Sequence, residues 1–278
     1  MFEITASPIT LSIPKTEPQD NSPMVLVWKQ KALLQSKEGR LSIPTYSDIK
    51  SLFPSSVKFL PLGFYKGIPF YVLPLREPDM PELPEHLVYA PHSQFRTLEE
   101  NEALLFSTAF HLQNWYRSHR YCGVCSNSLT AQTEQHCMRC EECNQLYFPT
   151  IAPAVIVAIT DGDYILLAEN AAYPGTFMSL IAGYVEAGET IEQAMHREAM
   201  EEVGLKLTNL RYLTNQPWGF GGSLMLAFHA NADRNASLTL QVDEIIRAKW
   251  VRRDELPTHP YPISVAAKLI ERFKNNEL

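Results

Sequence analysis

Residues 183–205 read Gly183-Tyr-Val-Glu-Ala-Gly-Glu189-Thr-Ile-Glu-Gln-Ala-Met-His-Arg197-Glu198-Ala-Met-Glu201-Glu202-Val-Gly204-Leu205. Thr190 followed three residues later by Gln193 is a capping box that opens a helix, and Gly204 is placed to close it. Ile191, Ala194, Met195 and Ala199 recur at helical spacing and supply an apolar stripe for docking on a sheet. Glu198, Glu201 and Glu202 stand at i, i+3 and i+4, so their carboxylates converge on one helix face. Three like charges so placed repel unless cations sit among them, and hard oxygen ligands suit Mg²⁺ or Mn²⁺. Taken alone, the pattern also fits a solvated acidic face.

On either side of this helix the sequence predicts strands. Upstream, Ala154–Ala158 and Tyr164–Ala168 flank an Asp161-Gly162 turn signal and read as a β-hairpin. Downstream, 207–213, 224–230 and 246–251 are strand candidates, and Ser264 caps a last helix through about Phe273. The order predicts a mixed sheet between helices. Before it, the first 95 or so residues are proline-rich, with short apolar runs at Met24–Trp28 and Phe70–Pro74 that suit antiparallel strands. Thr97-Leu-Glu-Glu100 is a second capping-box pattern, for a helix ending near His119. No internal repeat is visible.

All five cysteines lie between Cys122 and Cys143. Cys122-Gly-Val-Cys125 and Cys140-Glu-Glu-Cys143 are two knuckles that together complete a tetrahedral Zn²⁺ site, a structural one because four thiolates leave no open position. Cys137 also forms a CxxC with Cys140, so spacing alone leaves the second pair ambiguous. Such a cluster suits a reducing compartment better than a secreted disulfide framework. The start, Met1-Phe-Glu-Ile-Thr-Ala-Ser, lacks the basic and apolar regions of a signal peptide, and no apolar run is long enough to span a membrane. A cytoplasmic enzyme is expected. The net charge of −7 argues against a generally basic nucleic-acid surface, though not against a local stripe.

The stretch 183–205 matches Gly-x5-Glu-x7-Arg-Glu-U-x-Glu-Glu-x-Gly-U at every specified position, with Ala199 and Leu205 as the apolar U, and so resembles the Nudix hydrolases. That resemblance implies an α+β chain whose C-terminal part is an α/β/α sandwich with a mixed sheet, preceded by a zinc ribbon and a smaller N-terminal α+β domain. The expected divisions are residues 1–118, 119–149 and 150–278. It also implies metal-dependent hydrolysis of a nucleoside diphosphate linked to another group. Glu198, Glu201 and Glu202 would then be the catalytic metal ligands, Arg197 would pair with Glu189, and the Ala182 carbonyl and Glu244 would complete the coordination of Mg²⁺ or Mn²⁺.

Asn215-Gln216-Pro217-Trp218-Gly219-Phe220-Gly221-Gly222-Ser223 resembles the Ser-Gln-Pro-Trp-Pro-Phe-Pro-x-Ser signature of the NADH pyrophosphatases. Tyr147–Pro153 resembles the ribbon-to-catalytic-domain junction of its bacterial members, whose spacing assigns zinc to Cys122, Cys125, Cys140 and Cys143. By this likeness Gln216 to Ser223 bind substrate, with Trp218 stacking on a base. Phe148 and Tyr184 are aromatic walls of the pocket, and Arg96 and Ala266 are further contacts. The implied substrates are NADH or NAD⁺ and the 5′ NAD cap of RNA, and the implied assembly is a homodimer. Asn215, Gly219 and Gly221 depart from the signature, and glycine for proline leaves a loop freer. An ADP-ribose or other nucleoside-diphosphate hydrolase therefore remains a second reading, and a nucleotide-sensing zinc-ribbon regulator a third. Intact box glutamates weigh against the third.

Overall fold

A computed structural model describes residues 7–28, 31–74, 81–172, 174–259 and 261–278. They fall into two compact units, one containing Ile151–Trp218 and Gly222–Leu278, the other Thr5–Thr150 with Gly219–Gly221. Four helices are named α1 (Tyr46–Ile49), α2 (Glu100–Ser118), α3 (Ile191–Val203) and α4 (Val265–Lys274).

The C-terminal unit is built on a six-stranded mixed sheet in the order Thr208–Trp218, Ser223–Asn231, Ala152–Asp161, Tyr164–Asn170 and Ile245–Arg252, with Ile181–Tyr184 also paired to Ala152–Asp161. Ala152–Asp161 runs parallel to Ser223–Asn231 and forms the expected hairpin with Tyr164–Asn170, turning at Gly162 with φ +55°. Period-two alternation divides this central strand between two cores. Val155, Val157 and Ile159 pack with Ala194, Met195, Ala199 and Val203 of α3. Ile156 and Ala158 face the other way, onto Val265, Ala266, Leu269, Ile270 and Phe273 of α4. The result is the α/β/α sandwich.

Both helix starts have the caps the sequence calls for. Thr190 Oγ1 accepts from Gln193 N while Gln193 reaches back to the Thr190 amide, and Ser264 Oγ accepts from Ala267 N. Gly204, at φ +74°, closes α3 in the left-handed conformation, with Leu205 N donating to Ala199 O.

The other unit carries a seven-stranded sheet and a three-stranded ribbon, Leu129–Ala131, Met138–Cys140 and Leu146–Tyr147. Its strands are not all antiparallel as expected, because Met24–Trp28 runs parallel to Ile68–Pro74. Five of them follow the C-terminal plan. A hairpin of 24–28 and 31–37 is joined by 68–74 parallel to the first strand, 60–65 antiparallel beyond it, 87–91 antiparallel to the second strand, and α2 afterwards. The repeat invisible in the sequence is thus a repeat of topology. α1, the four-residue counterpart of α3, carries no cluster of glutamates.

α2 starts later than its capping-box pattern suggests. Leu98 is buried in extended conformation, so the helix begins after Glu99, and Thr97 ends a short 3₁₀ turn with its hydroxyl donating to Gln94 O. The buried His136 ties the ribbon to this unit, its Nε2 donating to Leu62 O at 2.8 Å and its Nδ1 accepting from the Tyr116 hydroxyl at 2.9 Å. Burial lowers its pKa and keeps it neutral.

Candidate active site and cysteine cluster

The acidic site grows from one end of α3. Glu202 is 2% exposed, and its Oε2 is buried without a hydrogen-bond partner. Burial pushes its carboxyl up to about 8, and the neighbouring charges of Glu198 and Glu244 add to the rise, while a hydrogen bond from the Ala182 backbone opposes it. Glu198 is also buried and also raised, again by burial first, despite a hydrogen bond of 2.8 Å from Arg197 Nη1 to its Oε1. Its carboxylate lies where a β-carbon on residue 183 would be, which is why the box opens on glycine. Glu201 is half exposed and takes a bond of 3.0 Å from the same Nη1.

Arg197 organises this face. Its Nε and Nη2 each donate to one oxygen of Glu189 at 2.9 Å, and Nη2 also donates to the Tyr184 carbonyl. The Glu189 carboxyl is held low, chiefly by that arginine. The resemblance pairs Arg197 with Glu189 alone; the fold gives it carboxylates on both sides. Glu244 comes from the segment before the last strand. Gln241, a residue the sequence did not single out, fixes it, with Nε2 donating to Glu244 Oε1 at 3.2 Å and its own amide donating to the Glu202 carbonyl.

Among the described residues the four cysteines form the one group whose ligand atoms are gathered as for a bound metal ion. The glutamate donor set nevertheless fits a hard divalent cation. It consists of carboxylate oxygens, one of them orphaned and desolvated, with Glu198, Glu244 and Glu201 all disfavouring charge on Glu202.

The Sγ atoms of Cys122, Cys125, Cys140 and Cys143 all lie within 4.8 Å of one another, the nearest pairs at 3.4 and 3.5 Å. That is close to the spacing of sulfurs about 2.3 Å from a tetrahedral zinc. The two knuckles share one geometry. Ser126 N donates to Cys122 O and Asn144 N to Cys140 O, and Ser126 and Asn144 both take positive φ. The Tyr147 hydroxyl, 3.3 Å from Cys122 Sγ, is the main cause that lowers this thiol to about 6, favouring the thiolate that binds metal. Cys137 is fully buried outside the cluster, its Sγ facing the Met138 carbonyl.

The signature segment is a strand and tight turn, not a loose loop. Asn215 to Trp218 continue the edge strand, and Trp218 pairs with Ser223 across the hairpin. Trp218 is half-buried, Pro217 and Gly221 are exposed, and Gly222 takes φ +67°. Gly219 is buried with the Ser107 carbonyl where a β-carbon would have to go, so packing accounts for glycine at this position. The Phe220 ring stacks on Phe95 at 3.8 Å between centroids and also lies beside the rings of Phe106 and Phe110. Gln216 spends its amide on the start of α4. Ser223 is buried with its hydroxyl 3.4 Å from that of Tyr184, while the Tyr184 and Phe148 rings are half exposed. Ala266 is buried in the first turn of α4. Arg96 lies in the 3₁₀ turn before α2, and its side chain falls outside the described residues.

A NUDIX domain model matches residues 150–273, and a model for an NADH pyrophosphatase-like rudimentary NUDIX domain matches residues 21–115. Among curated proteins, the chain is 45% identical over 168 residues to an NAD-capped RNA hydrolase NudC of Shigella dysenteriae, covering 60% of this chain and 65% of that one, just under two thirds of its length. It is 40% identical over 216 residues to the NudC of Salmonella typhimurium, covering 76% of this chain and 79% of that one. It is 39% identical over 213 residues to one from Escherichia coli, again 76% of this chain and 79% of that one.

Proposed function

This chain belongs to the Nudix family, in its NADH pyrophosphatase-like branch, and from that membership we propose that it hydrolyses the diphosphate bond of NADH or NAD⁺ to AMP and nicotinamide mononucleotide, and removes 5′ NAD caps from RNA. The observation that carries the proposal is the desolvated Glu202 carboxyl, its Oε2 without a hydrogen-bond partner, beside Glu198 and with Glu201 and Glu244 near. Such an arrangement is unfavourable for folding alone and serves a cation and a diphosphate.

Glu198, Glu201, Glu202, Glu244 and the Ala182 carbonyl would hold Mg²⁺ or Mn²⁺, which when bound would neutralise diphosphate oxygens and lower the pKa of a coordinated water. Glu202 would serve as a ligand in its deprotonated form. Glu201, the most exposed of the three, would orient the attacking water, a role its access to solvent supports. Arg197 fixes the helix face by clamping Glu189 and steadying Glu198. Trp218 offers a flat face for a base, and Tyr184 offers an aromatic wall. Zn²⁺ on the four cysteines has a structural role. The protein acts as a cytoplasmic homodimer. Among the described residues no helix is long and apolar enough to cross a membrane.

The test is a metal-dependent panel of NADH, NAD⁺, ADP-ribose, FAD and NAD-capped RNA compared by kcat/KM. NADH or NAD-capped RNA is expected to lead, with AMP or 5′-monophosphate RNA as product. A clear lead for ADP-ribose replaces this proposal with the second reading, and no turnover of any member with Mn²⁺ removes it.

A further inference from the structure

The amide of Gln216 is engaged at both ends with the start of α4. Its Oε1 accepts from Val265 N at 2.7 Å, and its Nε2 donates to Ile263 O at 2.8 Å. Val265 is the first residue of α4, and its amide is one of the donors a helix leaves without an internal partner. Ser264 Oγ takes the amide of Ala267 in the same turn. The two side chains therefore hold the helix start from opposite ends, with the Ala266 amide between the two they occupy. Gln216 lies on the edge strand two residues before Trp218, so one side chain fastens the strand of the signature segment to the helix turn containing Ala266.

We propose that Gln216 is a positioning residue that sets substrate affinity through the start of α4, rather than by contacting the substrate. This rests on the NADH-hydrolase reading, in which Trp218 and Ala266 lie against the nucleotide. In that reading the spacing of those two elements bears on the pocket, and this pair of hydrogen bonds is a polar link between them, beside the apolar packing of Leu213 in the α4 core. Glutamine is the side chain that suits both partners, since it accepts from an N–H with one end and donates to a C=O with the other. A carboxylate keeps the first bond and sets an anion against the Ile263 carbonyl; a methionine of similar size keeps neither.

The experiment compares the parent, Gln216→Met, Gln216→Glu, Ser264→Ala and the Gln216→Met/Ser264→Ala double variant in two measurements. Hydrogen exchange over residues 263–268 is expected to accelerate about tenfold in Gln216→Met and less in Gln216→Glu, because one bond survives. NADH kinetics with Mn²⁺ are expected to show KM raised about tenfold in Gln216→Met, with kcat within about twofold. Because both side chains act on one helix turn, the double variant is expected to fall short of the product of the two single effects. Unchanged exchange in Gln216→Met overturns the proposal. So does accelerated exchange with an unchanged KM, a loss confined to kcat, or KM effects that multiply independently, the behaviour of a direct substrate contact. If the parent cleaves ADP-ribose and not NADH, the substrate reading fails, and the same KM comparison is made with ADP-ribose.

Discussion

The carboxylate of Glu198 lies against the α-carbon of Gly183, in the volume that any β-carbon there would fill. A glycine on one strand thus seats a glutamate on the helix packed above it. Gly183→Ala should push Glu198 off its seat without altering a charge. The expected result is a fall in kcat/KM of about ten- to a hundredfold with weaker Mn²⁺ activation, as for other changes that misplace a ligand. Parental kinetics and metal affinity in a correctly folded Gly183→Ala protein would remove Glu198 from the site.

Glu202 links the site to pH. Its carboxyl rises from 4.5 to about 8 in the folded, metal-free chain. Between those values the native state holds a proton that the unfolded chain has released, so stability falls as pH rises through the window and is fully retained below 4.5. Melting of the zinc-loaded protein without added Mg²⁺ or Mn²⁺ should therefore weaken from about pH 5 to pH 8, the reverse of a salt-bridged carboxylate. Excess Mg²⁺ should reduce that fall, because cation replaces proton. Glu202→Gln should flatten the magnesium-free curve and lower turnover by orders of magnitude. A flat curve in the parent, or near-normal turnover in the variant, contradicts the assignment.

The glutamate helix was legible because its cap, stripe, carboxylates and stop are local patterns, each fixed within one turn of the next. The knuckles were legible for the same reason. What the sequence hid depends on contacts between distant segments. The Thr97 box lost to the inward-turned Leu98, Gly219 answers to Ser107 more than a hundred residues earlier, and Gln241 matters only once its loop reaches α3. The repeated topology is invisible because hairpin, parallel strand and covering helix can be rebuilt from unrelated apolar residues.

Zinc assignment is tested by metal content. Cys140→Ser or Cys143→Ser should lower bound zinc and destabilise the protein, since a structural site contributes folding energy directly. Cys137→Ser should keep its zinc, as Cys137 lies outside the cluster, and should cost about 1 kcal/mol for burying a hydroxyl in its place. Zinc loss in Cys137→Ser with retention in Cys143→Ser reverses the ligand set.

On sequence grounds, restoring the signature's prolines would stiffen the turn and strengthen NADH use. At position 219 the fold argues the opposite, because the added ring meets the Ser107 carbonyl. Gly219→Pro should cost about 1–3 kcal/mol of stability, typical of overpacking, and should not raise kcat/KM for NADH. Gly219→Ala should lose stability in the same direction. A more stable or more active Gly219→Pro protein means the turn sits elsewhere in solution.

Trp218 is the sharpest test of substrate choice. It is half-buried at the end of the edge strand, paired with Ser223, whose hydroxyl lies near that of Tyr184. Stacking on a base in a desolvated pocket contributes about 1 kcal/mol or more. Trp218→Ala should therefore lower kcat/KM for NADH by about tenfold, since each 1.4 kcal/mol is a factor of ten. If the ring stacks on nicotinamide, the loss falls on NADH and NAD⁺ and spares ADP-ribose, which lacks that base. If it stacks on adenine, all three lose alike, and circular dichroism separates that outcome from a folding defect. No loss on NADH takes Trp218 out of the pocket and leaves the substrate assignment resting on family membership and the cysteine ribbon.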